Sequence, residues 1–198
     1  IFMDSEENQK LITQGEKKVY LLGGEALQKE TVNNAFAFYG NALTIWNEYG
    51  PTEATVGCIS KNIQNGTDEE ILIGKPTTNV QIYILDANQK IVPVGVSGEI
   101  YIGGKQLAAK YLNNEALTDE KFVQNPFNTN ERLYKTGDYG KWLADGNIAY
   151  LGRKDEQIKI RGHRIEVGEI ENALLTYNGI TKAAVIVAKD AQGLSLIH

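Results

Sequence analysis

The order of apolar patterns between Val19 and Ser60 constrains the fold of this chain most strongly. A β-branched, apolar run at Val19–Leu22 is followed by an amphipathic helical pattern over Leu27–Tyr39 and a second strand pattern over Leu43–Glu48. A further strand is predicted over Thr55–Ser60. Strands that alternate with a helix indicate a helix packed on a sheet, so we predict an α/β layer here.

The middle of the chain has a different pattern. Residues 71–152 hold short strand signals over Val80–Leu85, Glu99–Ile102 and Ile148–Leu151, and turn signals such as Asp145-Gly146-Asn147 separate them. Several short strands with polar turns predict a small distorted β-barrel.

After Arg153 the pattern starts again. We predict a strand over Gln157–Arg161, a helix over Val167–Tyr177 and a strand over Thr181–Ala188, which is the opening of a small α+β domain. The predicted organisation is therefore residues 1–153, with an α/β part (1–70) and a barrel part (71–153), followed by residues 154–198.

Composition excludes several function classes. The 198 residues are 42% hydrophobic and 23% charged, which fits a globular protein, and the net charge of −5 argues against a nucleic-acid partner. No apolar run approaches the ~20 residues of a membrane span. Cys58 is the single cysteine and fits a reducing cytoplasm. His163 and His198 are the two histidines, so no zinc spacing exists and we reject a transition-metal site.

Residues 47–53, Asn-Glu-Tyr-Gly-Pro-Thr-Glu, follow the second predicted strand. Open α/β sheets bind ligands at the carboxyl ends of their strands. Tyr49 offers a flat face for a purine, Thr52 a hydroxyl donor for a phosphate, and Glu53 a hard oxygen ligand for magnesium. Gly50 and Pro51 restrict the backbone between them. The alternative, taken alone, is an ordinary polar turn.

Further motifs lie far along the chain. They are Leu133-Tyr-Lys-Thr-Gly-Asp138 and the run from Gly152 to Glu171, which contains Lys-Ile-Arg-Gly-His-Arg-Ile-Glu. With Gly23–Leu27 and Gly98–Leu112, they resemble the adenylate-forming, AMP-binding superfamily, and most closely the amino-acid adenylation domains of nonribosomal peptide synthetases. The resemblance runs from Leu21 to Val187.

This resemblance implies a fold and a reaction. The first part is expected to be the C-terminal portion of the large adenylation domain, and residues 154–198 the beginning of the small C-terminal subdomain. ATP, with Mg²⁺, would activate an amino acid as aminoacyl-AMP and release pyrophosphate. The acyl group would then pass to the phosphopantetheine thiol of a carrier protein. The family's phosphate loop and catalytic lysine are not in this sequence, so we expect little adenylation from the isolated chain.

The resemblance also assigns site residues. Thr52 and Glu53 are expected to act in catalysis, with Glu53 holding the metal. Asp155 matches a hinge residue about which the small domain turns, with a solvated turn residue as the alternative. For Asp138 the alternative is a structural turn, for Tyr150 a core position, and for Arg164 a solvated cation. The expected nucleotide-binding residues are Gly24, Glu25, Ala26, Asn47, Tyr49, Thr52, Asp138, Tyr150, Arg153 and Arg164.

Part of the substrate pocket is also assigned by resemblance. A buried Glu48 would require a hydrogen-bond donor, which suggests a polar substrate side chain, and the combination is similar to that of asparagine-activating domains, although tyrosine-type pockets share part of it. The expected substrate-binding residues are Leu21, Gly23, Glu48, Val56 and Gly57.

Two other hypotheses remain open at this stage. One is another ligase of the superfamily, which activates an aryl or acyl acid or loads D-alanine onto a carrier. The other is a non-catalytic interaction module that keeps the fold, against which the presence of Thr52, Glu53 and Asp138 argues.

Overall fold

The computed structural model describes residues 17–64, 70–153, 158–160, 163–189 and 195–197. Contacts between Cα atoms divide the chain into two units, Ile1–Gly152 and Arg153–His198. The assignment of these units to a large and a small adenylation domain stays a prediction.

The first unit begins with a four-stranded sheet in the order β1-β2-β3-β4. β1 pairs in parallel with β2, and β2 pairs antiparallel with β3. Parallel neighbours need a crossover connection, and helix α1 supplies it between β1 and β2. The strands are β1 (Lys18–Gly23), β2 (Leu43–Tyr49), β3 (Ile59–Ile63) and β4 (Lys75–Pro76), and the helix is α1 (Lys29–Tyr39).

Helix α1 covers one face of this sheet. Its buried residues, Val32, Ala35, Phe36 and Tyr39, recur at helical spacing and therefore form one apolar stripe. They pack in one cluster with Leu43, Ile45 and Ile63 of the sheet. This packing confirms the α/β layer predicted from the sequence.

The second sheet of the first unit has five strands in the order β5-β6-β8-β7, and β9 also pairs with β8. It forms the half-barrel that the strand pattern predicts. Helix α2 (Glu115–Lys121) precedes β7. Asn114 is its N-cap, and the Asn114 side chain accepts a hydrogen bond from the Leu117 N–H. The strands are β5 (Val80–Leu85), β6 (Gly98–Gly104), β7 (Phe122–Gln124), β8 (Arg132–Trp142) and β9 (Ile148–Arg153).

Strand β8 is interrupted by a bulge. Glu99 of β6 pairs with Tyr139, whereas Tyr101 pairs with Lys135, so the segment Thr136-Gly137-Asp138 has only Ile100 opposite it. The Thr136 hydroxyl fills the gap because it donates to the Ile100 carbonyl (2.7 Å). Bulges turn individual side chains away from the regular ladder and are frequent beside active sites.

The second unit contains two short antiparallel pairs and a helix. β10 (Ile158–Ile160) pairs with β11 (His163–Ile165), and β12 (Val187–Lys189) pairs with β13 (Ser195–Ile197). Helix α3 (Val167–Leu175) carries Glu171, whose carboxylate accepts the Val185 N–H (2.9 Å). Among the helices that the structure describes, none has the length and apolar character needed to cross a membrane.

Several predictions about secondary structure were wrong. The strand expected over Thr55–Ser60 begins only at Ile59, because a 3-10 turn at Thr52–Ala54 and left-handed backbone at Thr55 and Val56 come first. The strand expected over Thr181–Ala188 begins only at Val187, and residues 181–186 form neither helix nor strand. In both segments β-branched residues suggest a strand, but strand propensity depends on tertiary context.

Other elements were shifted or missed. Helix α1 begins at Lys29, because Gln28 before it is extended, and helix α3 ends at Leu175. Thr136, Gly137 and Asp138 lie within a long strand instead of a turn before a hairpin. The predicted strand over Gln157–Arg161 appears as Ile158–Ile160, and its ends lie outside the described residues.

Candidate nucleotide-binding site

The turn after β2 holds the first group of predicted site residues in a closed loop. The Ala54 and Val56 N–H groups both donate to the Pro51 carbonyl (3.1 and 3.2 Å), and the Cys58 N–H donates to the Tyr49 carbonyl (2.9 Å). A Cβ on Gly50 would lie 1.3 Å from the Val56 carbonyl oxygen, so only glycine fits there. Local sequence therefore fixes this loop tightly.

Tyr49, at the end of β2, meets two residues from the half-barrel. Its hydroxyl donates to Asp138 Oδ2 (2.5 Å), and the Tyr150 hydroxyl donates to Asp138 Oδ1 (3.3 Å). The two tyrosine rings lie 6.0 Å apart at an angle of 43°. The structure thus brings together three predicted site residues that are far apart in sequence. We name these three residues the Asp138 cluster.

Asp138 is held in this position by the bulge in β8. Its backbone N–H donates to the Thr136 hydroxyl (2.9 Å), and the neighbouring Gly137 N–H donates to Glu99 Oε1 (3.0 Å). The side chain of Asp138 is 8% exposed. A carboxylate oxygen can accept more than one hydrogen bond, so the two tyrosine hydroxyls do not by themselves prevent Asp138 from accepting one from a ligand.

Glu53 lies in the same turn as Thr52 and is 7% exposed. Its Oε1 atom accepts a hydrogen bond from the Tyr111 hydroxyl (2.5 Å), and its backbone carbonyl accepts one from the Ala108 N–H (2.7 Å). Thr52 is exposed, so its hydroxyl is accessible to a ligand. The turn therefore presents one exposed hydroxyl beside one buried carboxylate.

Burial changes the acidity of both tyrosines that contact these carboxylates. Loss of hydration raises the pKa of Tyr49 well above its usual value, and the charge of Asp138 raises it further. Loss of hydration also raises the pKa of Tyr111, and its hydrogen bond to Glu53 adds to the effect. Both phenols therefore stay protonated at neutral pH and act as donors to the carboxylates.

The loop after β1 contains Gly24, Glu25 and Ala26, and all three are exposed. Because β1 and β2 are parallel and Gly23 lies opposite Glu48, this loop and the turn after β2 both follow the carboxyl ends of their strands, on the same side of the sheet. That side is where open α/β sheets bind ligands.

The predicted nucleotide contact of Asn47 and the predicted substrate contact of Glu48 lie on opposite faces of β2, because side chains alternate along a strand. Asn47 is buried and donates from Nδ2 to the Leu72 carbonyl (2.9 Å). Its amide nitrogen is thus already used to hold the chain that follows β3.

The five predicted substrate residues are mostly accessible. Leu21 and Val56 are exposed, and Glu48 is half-buried, so the burial of Glu48 that the argument for a polar substrate assumed is only partial. The strand end at Glu48 lies at the sheet edge, where fewer neighbours cover it. Glycines flank it: a Cβ on Gly57 would lie 3.3 Å from Glu48 Oε2, and one on Gly23 would lie 2.7 Å from the Glu48 carbonyl oxygen.

Three predicted residues belong to the second unit or to undescribed parts. Arg153 is the last residue of β9 and the first residue of the second unit, and Arg164 lies in β11. Asp155, the predicted hinge, lies outside the described residues. Their roles stay predictions.

The described residues contain no group of three or more histidine, cysteine or acidic side chains that could hold a metal ion. Mg²⁺ in nucleotide sites is commonly bound by one or two carboxylates together with substrate phosphates and water, and the Glu53 carboxylate is of a chemical type that fits such a site.

The sequence pattern predicts no role for Tyr111, Thr136 or Tyr134. Tyr111 lies in the stretch Gly98–Leu112 that carries part of the family resemblance, and that was its only signal. Thr136 precedes Asp138 in a recognised motif, but its bond to Ile100 depends on strand pairing that the sequence did not reveal.

Comparisons with known proteins show which proteins this chain is similar to. The family model for AMP-binding enzymes matches residues 3–112. Tyrocidine synthase 3 of Brevibacillus parabrevis is 46% identical over 181 residues, which cover 90% of this chain and 3% of that protein. Bacitracin synthase 3 of Bacillus licheniformis is 49% identical over 175 residues, which cover 87% of this chain and 3% of that protein.

A solved nonribosomal peptide synthetase with adenylation and PCP domains, bound to a vinylsulfonamide inhibitor, has the same fold. It superimposes with a TM-score of 0.81 at 28% identity, over 90% of this chain and 32% of that one. The chain spans about 3% of the length of the two curated relatives. Since the family model covers more than half of the chain, this protein belongs to the AMP-binding enzyme family.

Proposed function

We propose that this chain is part of an amino-acid adenylation domain of a nonribosomal peptide synthetase. The whole protein would use ATP to convert an amino acid to aminoacyl-AMP with release of pyrophosphate. It would then transfer the acyl group to the phosphopantetheine thiol of a carrier protein. The observation that carries this proposal is the Asp138 cluster, in which Tyr49 hydrogen-bonds a carboxylate 89 positions away.

The cluster fits a nucleoside. Asp138 offers two carboxylate oxygens, each able to accept more than one hydrogen bond, to the vicinal hydroxyls of a ribose, and Tyr49 and Tyr150 hydrogen-bond to that carboxylate. The ring of Tyr49 offers an aromatic face to the adenine base. Gly24, Glu25 and Ala26 would line the base from the neighbouring loop, with Arg153 and Arg164 as further nucleotide contacts. For Asn47 we propose an indirect role, since its amide holds the Leu72 carbonyl.

The turn after β2 fits the phosphate end of ATP. The exposed hydroxyl of Thr52 would donate to a phosphate oxygen, and Glu53 would hold Mg²⁺. When bound, Mg²⁺ neutralises negative charge on the phosphates. An oxygen of the amino-acid carboxylate forms a bond to the α-phosphorus of ATP, and the bond from that phosphorus to pyrophosphate breaks. Such a reaction depends mainly on positioning and charge stabilisation by the protein.

The substrate is proposed to be an amino acid with a polar side chain, with asparagine favoured. Support comes from the half-buried Glu48 carboxylate, which lies beside Gly57, where no side chain stands between it and a donor group. Leu21 and Val56 would provide apolar contacts beside it. Glu48→Ala is expected to change the amino-acid preference of the enzyme more than its affinity for ATP.

The remaining proposals concern the second unit and the location of the protein. Residues 154–198 would begin the small subdomain, with Asp155 as the hinge about which it moves between adenylation and transfer to the carrier. We propose a cytoplasmic location, which the buried free thiol of Cys58 supports.

The test is amino-acid-dependent pyrophosphate exchange by the full-length protein, measured across the twenty amino acids. We expect exchange with a narrow set of polar amino acids and its loss in Glu53→Gln. A flat profile across all amino acids would contradict the proposal, and exchange that depends on aryl or acyl acids would assign the protein to another ligase class.

A further inference from the structure

We propose that Tyr111 is a positioning residue that holds the Glu53 carboxylate in the orientation needed to bind Mg²⁺·ATP. This proposal rests on the proposed function of Glu53 as the metal ligand. It adds a residue outside the turn itself, and that residue comes from the segment Ala108–Leu112, which we name the Tyr111 segment.

The Tyr111 segment contacts Glu53 in two places. The Tyr111 hydroxyl donates to Glu53 Oε1 (2.5 Å), and the Ala108 N–H donates to the Glu53 backbone carbonyl (2.7 Å). Thr55, two residues after Glu53, also contacts the chain just before the Tyr111 segment, because its hydroxyl donates to the Gln106 carbonyl (2.7 Å). Both the side chain and the backbone of Glu53 are therefore fixed by the same stretch of chain.

Tyr111 is itself held by the half-barrel and helix α2. Its backbone N–H donates to the Thr118 hydroxyl (3.0 Å), and its ring packs edge-on against Phe122 with the ring centres 5.7 Å apart. Its hydroxyl lies 3.3 Å from the hydroxyl of Tyr134, which is 1% exposed. With its backbone, ring and hydroxyl all engaged, Tyr111 has little freedom to move.

Arg132 hydrogen-bonds to the backbone at the start of the Tyr111 segment. Its guanidinium donates to the Ala109 carbonyl (3.0 Å) and, at a longer distance, to the Ala108 carbonyl (3.5 Å). It also lies over the Phe122 ring, 5.3 Å from the ring centre. Arg132 is exposed, so it can be replaced without opening the core.

These contacts matter for metal binding because a carboxylate that must bind an ion gains affinity when its orientation is fixed beforehand. Without the Tyr111 hydroxyl, Glu53 Oε1 loses one donor in a buried site, and the orientation of the carboxylate is held less firmly. Residues that orient a metal ligand typically affect metal affinity about 10- to 100-fold.

The experiment is titration of the full-length protein with Mg²⁺ at fixed ATP and without amino acid, with nucleotide binding followed by calorimetry. The variants are Tyr111→Phe, Arg132→Gln and Glu53→Gln. The matched control is Tyr39→Phe, because Tyr39 is also buried and its hydroxyl is hydrogen-bonded to another side chain, the Tyr20 hydroxyl (3.1 Å), in the cluster under helix α1. Thermal unfolding of each variant is measured in parallel.

We expect Tyr111→Phe to raise the Mg²⁺ concentration for half-maximal ATP binding by about tenfold, and Arg132→Gln to raise it by about twofold to threefold. Tyr39→Phe should leave it unchanged, even if its thermal stability falls as much. An unchanged Mg²⁺ requirement in Tyr111→Phe overturns the proposal. If that variant does not fold, an unchanged requirement in Arg132→Gln overturns it instead.

Glu53→Gln separates this inference from the proposed function. If Glu53→Gln loses the Mg²⁺ dependence of ATP binding while Tyr111→Phe behaves like the unmodified protein, only the role of Tyr111 is refuted. If Glu53→Gln itself binds Mg²⁺·ATP normally, the proposed metal ligand is refuted, and the role of Tyr111 with it.

Discussion

Replacement of Asp138 by asparagine tests the proposed ribose site most directly. The side chain keeps its size and one acceptor oxygen, so the bulge in β8 and the contacts of its backbone with Thr136 are retained. The substitution removes the negative charge and converts the second acceptor to a donor. One of the two tyrosine hydroxyls, on Tyr49 or Tyr150, must then rotate to accept a hydrogen bond.

The size of the effect follows from the contacts at this carboxylate. Asp138 is almost fully buried, so a hydrogen bond to its charge is worth about 1.5–3 kcal/mol. Asparagine loses one such bond to the ribose and weakens the other. Because about 1.4 kcal/mol corresponds to a factor of ten in Kd, we expect ATP to bind about 10- to 150-fold more weakly.

The assay is calorimetric titration of the full-length protein with Mg²⁺·ATP. Asp86→Asn is a suitable control, because Asp86 is also an acceptor for backbone N–H groups, those of Asn88 and Lys90, but lies in a turn after β5. An ATP affinity of Asp138→Asn within about twofold of the unmodified protein would refute the reasoning. Equal weakening in both variants would show that the change is not specific to the ribose site.

Three further predictions follow from the packing. Gly50→Ala should abolish ATP binding and lower the melting temperature, because its Cβ would lie 1.3 Å from the Val56 carbonyl oxygen. The control Gly168→Ala should change neither property, because no atom beyond the backbone of its own helix lies within 4 Å of the added Cβ. A stable Gly50→Ala variant that binds ATP would contradict this prediction. Burial raises the pKa of the Cys58 thiol to about 11, so a thiol reagent at neutral pH should modify it only after unfolding, and rapid labelling of the native protein would refute its burial. Burial also raises the pKa of Tyr39 from 10.0 to about 12. The folded state should therefore lose stability as pH rises from about 10 to about 12, because the unfolded chain gives up this proton first. Urea unfolding curves measured across this pH range should show a smaller loss of stability in Tyr39→Phe.

Part of the fold could be predicted from the sequence because it depends on local periodicity. The apolar stripe of helix α1 and the alternation along β2 are visible in the residues themselves, and both elements lie close to their predicted positions, although the helix begins two residues later than predicted. The position of the turn after β2 follows as well, since Gly50 and Pro51 permit little else. These features depend on neighbours within a few positions.

The long strand β8 shows where local pattern fails. Its segment Thr136-Gly137-Asp138 suggests a turn, because glycine and aspartate are common turn residues. In the structure the strand continues through this segment as a bulge, since β6 pairs with it on both sides. Pairing partners distant in sequence decided between a turn and a bulge.

The sequence by itself determined the layered α/β start of the chain, the closed turn after β2 and, through its motifs, the family. Only the tertiary structure decided how Asp138 and Glu53 are oriented, because Tyr49 lies 89 positions from the first and Tyr111 lies 58 positions from the second. Periodicity reports contacts a few residues apart along one element. Hydrogen bonds between elements depend on how sheets and loops pack, and this packing is set by the whole chain at once.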